Sequence, residues 1–315
     1  MAATDLRVGF VGCGVHARDT LLPAVQRVGM ELAAICDLDR RLAQRTTRRF
    51  GAFRAYQDVR TMVDEMDLDA VLICGPPDLH AEAAPVALAA GCHVWVEMPA
   101  APSAEEAQRI AGIADERKLV AQAGLNARFA PVYTRLREIA LAPDFGEMAS
   151  VEIVWWPPRT HGHDVPVLFD LPHAIDLVRY LGGEVQDLSV TRGSDASVLA
   201  IAFALESGAI ATISFAGPVE CPRERVQVAS LRSTVMATAR REVALQSADR
   251  EDLQVWQYDA LRVQGAQTSW DPSGYIAQLQ HFVEAIEGET RLQATIADAA
   301  SAMRLAERVA ACERS

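Results

Sequence analysis

Apolar residues over the first 122 positions come in short runs separated by amphipathic stretches. The runs near 6–11, 31–36, 52–55, 69–74, 92–96 and 119–122 have the length of buried strands. The stretches near 16–28, 39–50, 57–66, 78–90 and 103–117 fill the gaps as helices. This alternation predicts a mostly parallel sheet with helices on both faces, an α/β doubly wound domain over residues 1–122. Asp78 and Ser103 stand at N-cap positions, and Ser103 is followed by Glu106 in a capping-box pattern. From about residue 147 the pattern changes. One helix near 170–182 precedes strands near 185–191, 197–205, 208–215, 224–230, 233–239 and 253–258, with no helices between them. Helices near 274–287 and 295–312 close the chain. Residues 123–315 therefore read as an α+β domain with a mostly antiparallel open sheet.

Two of those strands do not alternate cleanly: Val198-Leu-Ala-Ile-Ala-Phe-Ala-Leu205 and Ala209-Ile-Ala-Thr-Ile-Ser-Phe-Ala216. Strands apolar on both sides need cover on both faces. The domain's own helices can cover one, and a second subunit is expected on the other, as a homodimer or homotetramer.

A net charge of −12 disfavours nucleic acid and anionic membranes as partners. No apolar run reaches eighteen residues and no signal segment leads the chain, so a cytoplasmic protein is expected. The six cysteines include no C-x-x-C pair and read as reduced thiols. Lysine occurs once, at Lys118, ahead of a strand and so at the amino edge of the sheet.

The most specific chemistry lies in Val8-Gly-Phe-Val-Gly12-Cys-Gly14-Val-His-Ala17, a strand running into Gly-x-Gly-x-x-Ala and a helix. Gly12 permits the sharp turn, Gly14 permits close approach of a pyrophosphate, and Ala17 permits tight packing of helix on strand. The amides near Val15 and His16 are expected under the phosphates. Asp37 ends the second strand about twenty residues past Ala17, where a carboxylate binds the adenosine ribose. This is a Rossmann dinucleotide site, and Asp37 argues for NAD. Arg40 and Arg41 follow closely and leave NADP open. Gly75-Pro76-Pro77 marks the loop after the fourth strand, at the carboxyl edge where ligands bind in such sheets.

Further motifs extend nearly end to end. They are Val71-Leu-Ile-Cys-Gly-Pro-Pro-Asp-Leu-His80, His93-Val-Trp-Val-Glu97-Met98-Pro99, Gly124-Leu-Asn126-Ala-Arg128-Phe129 and Asp170-Leu-Pro-His173-Ala-Ile-Asp176. With the tail from Gly274-Tyr275 to Gly288, the chain resembles the Gfo/Idh/MocA family, that of glucose–fructose oxidoreductase and inositol dehydrogenase. The resemblance implies a nicotinamide-dependent oxidoreductase whose substrate varies widely among members. It also implies cofactor contacts at Cys74, Gly75, Pro76, His80, Glu97, Met98 and Asn126. Substrate contacts are implied at Met98, Arg128, Trp156, Arg159, His161, Asp170 and His173.

Two departures fall on the chemistry. The family's Glu-Lys-Pro lysine, which lies beside the nicotinamide, is here Met98, whose thioether donates no proton and carries no charge. The acid that often stands four residues before the histidine is Asp170, three before His173. Positions three or four apart share a helix face, so the two still point together. His173 is then the expected general acid/base and Asp170 its partner. The alternative for Asp170 is an N-cap of the helix it opens. In Trp155-Trp156-Pro-Pro-Arg159-Thr-His161-Gly-His163-Asp164, the histidines invite a metal, but the set is too sparse, and no metal is expected. Trp156 is read instead as an apolar wall, and Arg159 and His161 as contacts to a polar substrate.

Without a lysine, an imine, iminium or conjugated substrate needs less polarisation than a ketone or alcohol. Biliverdin reductases of the family likewise lack the lysine. A small sugar-like substrate stays within the same reading. Two alternatives stand beside it: an NAD-binding regulatory protein without turnover, and a cofactor-assisted reaction without net redox change, such as elimination, epimerisation or cyclisation.

Overall fold

The computed structural model describes residues 6–157, 167–195, 197–217, 219–249, 251–258 and 271–312. Two compact units emerge: Met1–Asn126 with Tyr275–Ser301, and Ala127–Gly274 with Ala302–Ser315.

The first unit holds β1 (Arg7–Val11), α1 (Leu22–Val28), β2 (Glu31–Cys36), α2 (Arg40–Phe50), β3 (Arg54–Tyr56) and α3 (Val59–Glu65). It continues with β4 (Ala70–Ile73), α4 (Pro77–Ala89), β5 (His93–Val96), α5 (Ala104–Arg117) and β6 (Ala121–Ala123). Among the described residues its strands form one parallel sheet in the order β3-β2-β1-β4-β5-β6. The chain reverses direction across the sheet between β1 and β4, leaving a crevice at their carboxyl ends, the usual ligand position in such sheets.

Side-chain caps set most helix starts. Asp39 accepts from the Arg41 and Leu42 amides, Asp58 from that of Thr61, and Ser103 from that of Glu106 in the expected capping box. Asp78 differs from expectation: α4 is preceded by Pro76 without a side-chain cap, and Asp78 lies inside the first turn. Pro77 at the first helical position explains this, since its fixed φ suits the turn and it has no amide to satisfy.

The helix α8 (Tyr275–Ile286) belongs to this unit, although the sequence pattern placed everything after residue 122 in the second domain. Leu279, Phe282 and Val283 enter the same core as Leu22 and Val25 of α1. Burial of such side chains is worth about 1.5–3 kcal/mol each. Gln278 also donates from Nε2 to the Ala123 carbonyl at 2.6 Å, and the Ala123 amide donates to Ala294 at 2.8 Å. A boundary read from local pattern misses this, because α8 returns to the sheet only through long-range packing. The division falls within α9 (Ile296–Ala311).

The second unit begins with α6 (Pro131–Ala140), absent from the sequence reading. Its signal was present: Pro131 opens a stretch with Val132, Tyr133, Leu136, Ile139 and Ala140 on one buried face. There follow β7 (Met148–Trp156), α7 (Val167–Gly182), β8 (Val185–Arg192), β9 (Val198–Leu205) and β10 (Ile210–Ala216). Then come β11 (Arg223–Ser230), β12 (Ser233–Thr238), β13 (Glu242–Ser247) and β14 (Gln254–Gln257). Among the described residues the order is β14-β13-β12-β11-β7-β10-β9-β8, antiparallel except for the β7–β10 pair. The strand β13 also escaped the sequence reading. Its hairpin with β12 turns through Ala239 and Arg240 at positive φ, without the glycine or asparagine that usually marks such a turn.

The helices α6 and α7 pack on one face of this sheet. Val151, Ile153 and Trp155 of β7 point into that core with Leu199, Ile201, Phe203 and Leu205 of β9. On the other face Ala200, Ala202 and Ala204 of β9 are exposed, beside Thr212 of β10. The strands therefore alternate by size. The outer residues are small, so the face is flat, and its apolar character comes from methyl groups.

Candidate functional site

The carboxyl edge of the first sheet is built around the fingerprint turn. Gly12 has φ +91°, and a Cβ there would stand 1.9 Å from the Cys74 carbonyl oxygen, so only glycine fits. Gly14 is different: a Cβ there would meet no described atom within 4 Å. Among the described residues nothing crowds Gly14, and the open space suits the close approach of a diphosphate. Ala17 is fully buried against the strand, as the motif requires.

Asp37 is fixed from both oxygens. Oδ2 accepts the Cys13 amide at 2.7 Å, and Oδ1 accepts the Asp39 amide at 2.8 Å. The ribose-binding candidate thus tethers the fingerprint turn to the end of β2. Asp39 occupies the first amides of α2, while Arg40 is exposed beside it. Burial pushes the thiols of Cys13 and Cys36 up to about 11 and about 12, and raises that of Cys74 as well, so all three stay neutral.

Across the crevice, Glu97 ends β5. Its Oε1 accepts the Met98 amide at 2.8 Å, and its Oε2 lies 3.0 Å from His16 Nε2. A Cβ on Gly124 would come within 2.2 Å of Glu97 Oε1, so Gly124 is what lets this carboxylate sit there. Burial alone would lower the His16 pKa, but the hydrogen bond and charge of Glu97 outweigh it and hold the imidazole above the ordinary histidine value. The Met98 side chain is buried, and the bond to Pro99 is cis.

His80 is fully buried with both ring nitrogens engaged. Nε2 accepts the Gly75 amide at 3.0 Å, and Nδ1 lies 2.8 Å from the Pro99 carbonyl. The proton therefore sits on Nδ1, and burial lowers the pKa of the ring. His80, the cofactor contact that the sequence motif implied, thus clamps two loops of the crevice. Gly75 and Pro76 are exposed on that edge, and Cys74 and Asn126 are buried.

In the second unit, Asp170 and His173 share a face of α7. Burial raises the Asp170 pKa, and the neighbouring His173 partly offsets that rise. Because α7 starts at Val167, Asp170 lies within its first turn, and the N-cap alternative fails. Arg128, the substrate contact implied by its motif, is held in place by α7. It forms a two-point ion pair with Asp176, Nε to Oδ2 at 2.8 Å and Nη2 to Oδ1 at 2.5 Å, with both side chains nearly buried. Its guanidinium also stacks on Tyr180.

Trp156, read from the sequence as an apolar wall, stands on the outer face of the sheet, donates from Nε1 to Ser214 Oγ at 3.3 Å, and lies under the Arg223 guanidinium. Period-two alternation puts it opposite Trp155, which faces the α7 side. Trp156 therefore lies on the sheet face opposite α7. Arg159, His161, His163 and Asp164 lie outside the described residues. Among the described residues no cluster of three metal-ligating side chains occurs. The sequence reading also missed the His16–Glu97 contact. Only the proximity of both motifs to the same sheet edge could have signalled it.

These features define a dinucleotide-binding protein with a separate α+β unit. The oxidoreductase family with an NAD-binding Rossmann fold, Gfo/Idh/MocA, matches residues 6–125, the Rossmann part of this chain. Its cofactor is NAD. The chain is 26% identical over 323 residues to the rhizopine catabolism protein MocA of Rhizobium meliloti, covering 96% of this chain and 94% of that one. It is 31% identical to the D-glucoside 3-dehydrogenase of Escherichia coli over 47% of this chain and 42% of the other. A solved dehydrogenase from Chromobacterium violaceum superposes with a TM-score of 0.87 at 26% identity, covering 98% of this chain and 95% of that one. No helix among the described residues is long and apolar enough to cross a membrane.

Proposed function

We propose that this NAD-dependent oxidoreductase acts on a small polar substrate, with His173 as its general acid/base and Asp170 as the group that orients and charges it. One observation carries the reading: the position next to Glu97 holds a buried thioether, whereas α7 carries a carboxylate and an imidazole on one face. When bound, NAD supplies hydride transfer. The chain's own residues then bind, orient and manage a proton. Gly12, Gly14 and the amides of Val15 and His16 receive the diphosphate. Asp37 holds the adenosine ribose, and two acids at the end of β2, Asp37 and Asp39, disfavour the extra phosphate of NADP. An imidazole can both donate and accept a proton, which suits His173 to exchange one at the reacting heteroatom. Met98, buried beside Glu97, offers no proton.

A glucoside dehydrogenase among the relatives supports a polyhydroxylated substrate. Losing one electrostatic donor costs roughly a hundredfold in rate or more in comparable sites. The thioether therefore favours substrates that need little polarisation, imines and conjugated systems included. A screen of polyols, ketones, imines and enones with NAD⁺ or NADH tests this, and turnover of at least one class, abolished in His173→Ala, is expected. Tight NADH binding with no turnover of any class would favour the regulatory reading, for which Met98 is the supporting observation.

The outer face of the second sheet supports an isologous homodimer. Ser189, Thr191, Ala200, Ala202 and Thr212 make it flat, and Glu152 and Arg225 give it opposite charges that a two-fold axis can pair. Light scattering of the wild type should give a dimer or a tetramer, and Ala202→Arg a monomer. A wild-type monomer at micromolar concentration would remove the proposal.

A further inference from the structure

The fingerprint turn carries a titratable side chain that diphosphate binding does not require. His16 follows Gly14 by two residues, and its imidazole leans over the crevice to the buried carboxylate of Glu97, 81 positions away. We propose that His16 is a proton-linked cofactor-binding residue: its ring takes up a proton at Nδ1 when the dinucleotide's diphosphate binds, while Glu97 holds the ring through Nε2. The proposal rests on the cofactor reading and adds to it a residue and a proton.

The assignment of atoms follows from the hydrogen bonds. Glu97 is an acceptor at both oxygens, taking the Met98 amide on Oε1, so the His16 nitrogen facing Oε2 carries a hydrogen. The neutral ring is therefore the Nε2–H tautomer, and Nδ1 is the atom left to titrate. The His16 side chain is 42% exposed, against 11% for Glu97, so the imidazole is the outer member of the pair.

The charge inventory gives the proton its purpose. Glu97 faces His16 from the end of β5, and the Tyr275 ring of α8 meets it edge-on at 5.4 Å. Arg18 and Asp19 lie on its own segment. Arg18 bonds the Gly14 carbonyl, and Asp19 is 3.9 Å from Arg49. Cys13 and Cys74 stay neutral because burial raises their thiols. With His16 neutral, the pair has a net charge of −1 and opposes an incoming diphosphate. With His16 protonated, the pair is neutral and its outer member is a cation. Diphosphate binding must then favour the protonated ring, and by linkage the proton must favour binding.

Isothermal titration of NADH and of ADP-ribose, each in two buffers of different ionisation enthalpy from pH 6 to pH 9, reads the proton directly. Wild-type protein should take up a fraction of a proton per ligand at alkaline pH. Its affinity should fall about three- to tenfold across the range, as expected for one partly exposed charge pair. In His16→Gln the uptake should vanish and affinity should become flat with pH, with His16→Asn as the second variant should the first not fold. In Glu97→Gln the uptake should move to lower pH, because the imidazolium loses its carboxylate. Ligand binding without proton uptake in the wild type, or uptake retained in a folded His16 variant, overturns the proposal alone. Absence of binding of both ligands at every pH overturns the cofactor reading and the proposal with it.

Discussion

Two histidine–carboxylate pairs among the described residues, one in each unit, are built differently. Asp170 and His173 are neighbours because a helix puts residues three apart on one face, so a single element makes the pair. His16 and Glu97 are neighbours because the turn after β1 and the end of β5, with β4 between them, lie at the same edge of one parallel sheet, with Gly124 leaving room for the carboxylate. The electrostatics differ as well. Burial works against the charge on Asp170, whereas Glu97 overcomes burial and favours the charge on His16. A pair made by one helix is easily moved by sequence change, as the three-residue spacing here illustrates. A pair made across a sheet is held by the whole fold. The first suits a group whose state must change during turnover, the second a group that sets the charge of a binding site.

The largest expected effect separates them by function. His173→Ala should lower kcat by about two to four decades while NADH affinity stays within about twofold. His16→Gln should do the reverse, changing affinity and its pH dependence more than kcat. Steady-state kinetics beside calorimetry distinguishes the two, and equal losses of kcat in both variants would erase the division of labour.

Restoring the missing ammonium sharpens the contrast. Met98→Lys should raise turnover of alcohol or ketone substrates by about tenfold to a hundredfold, since an ammonium stabilises a developing alkoxide. It should slow an iminium substrate, which carries the same charge. No change with either class would mean that the position next to Glu97 does not face the chemistry.

A stability comparison comes next. Asp176→Asn removes one partner of the nearly buried Arg128 pair and should cost about 3–5 kcal/mol in denaturant unfolding, as expected when a buried ion is left unmatched. Asp170→Asn should instead stabilise the fold slightly at neutral pH. Burial raises the folded pKa of that acid, so the folded state favours its protonated form, and the penalty of ionising it develops as pH rises through the folded value. The gain from the amide should therefore disappear in strong acid. A destabilised Asp170→Asn at pH 7 would remove the argument that Asp170 is retained for function.

The smallest effect concerns His16 and stability. Its folded pKa is raised, so its contribution is fully present below the unfolded value, near 6.5, and is lost as pH rises through the folded value. Thermal melts of wild type and His16→Gln should differ most near pH 6 and converge toward pH 9. A gap that widens with pH would reverse the sign assigned to the pair.

Local patterns determined much of this protein by themselves. The parallel sheet of the first unit, the cap at Ser103, the glycine at Gly12, the acid at Asp37 and the shared face of Asp170 and His173 all follow from spacing within one or two elements. Such features depend on backbone periodicity and backbone sterics, which residue types record directly. Tertiary structure alone decided the rest. It returned α8 to the first core, tied Arg128 to Asp176, put Trp156 on the face away from α7, and made His80 a clamp between loops. It also brought His16 to Glu97. Each of these depends on which distant side chain fills the neighbouring space, and burial of apolar area is non-directional. Sequence spacing therefore tells that a residue will be buried or bonded, while the identity of its partner is settled only when the strands and helices have packed.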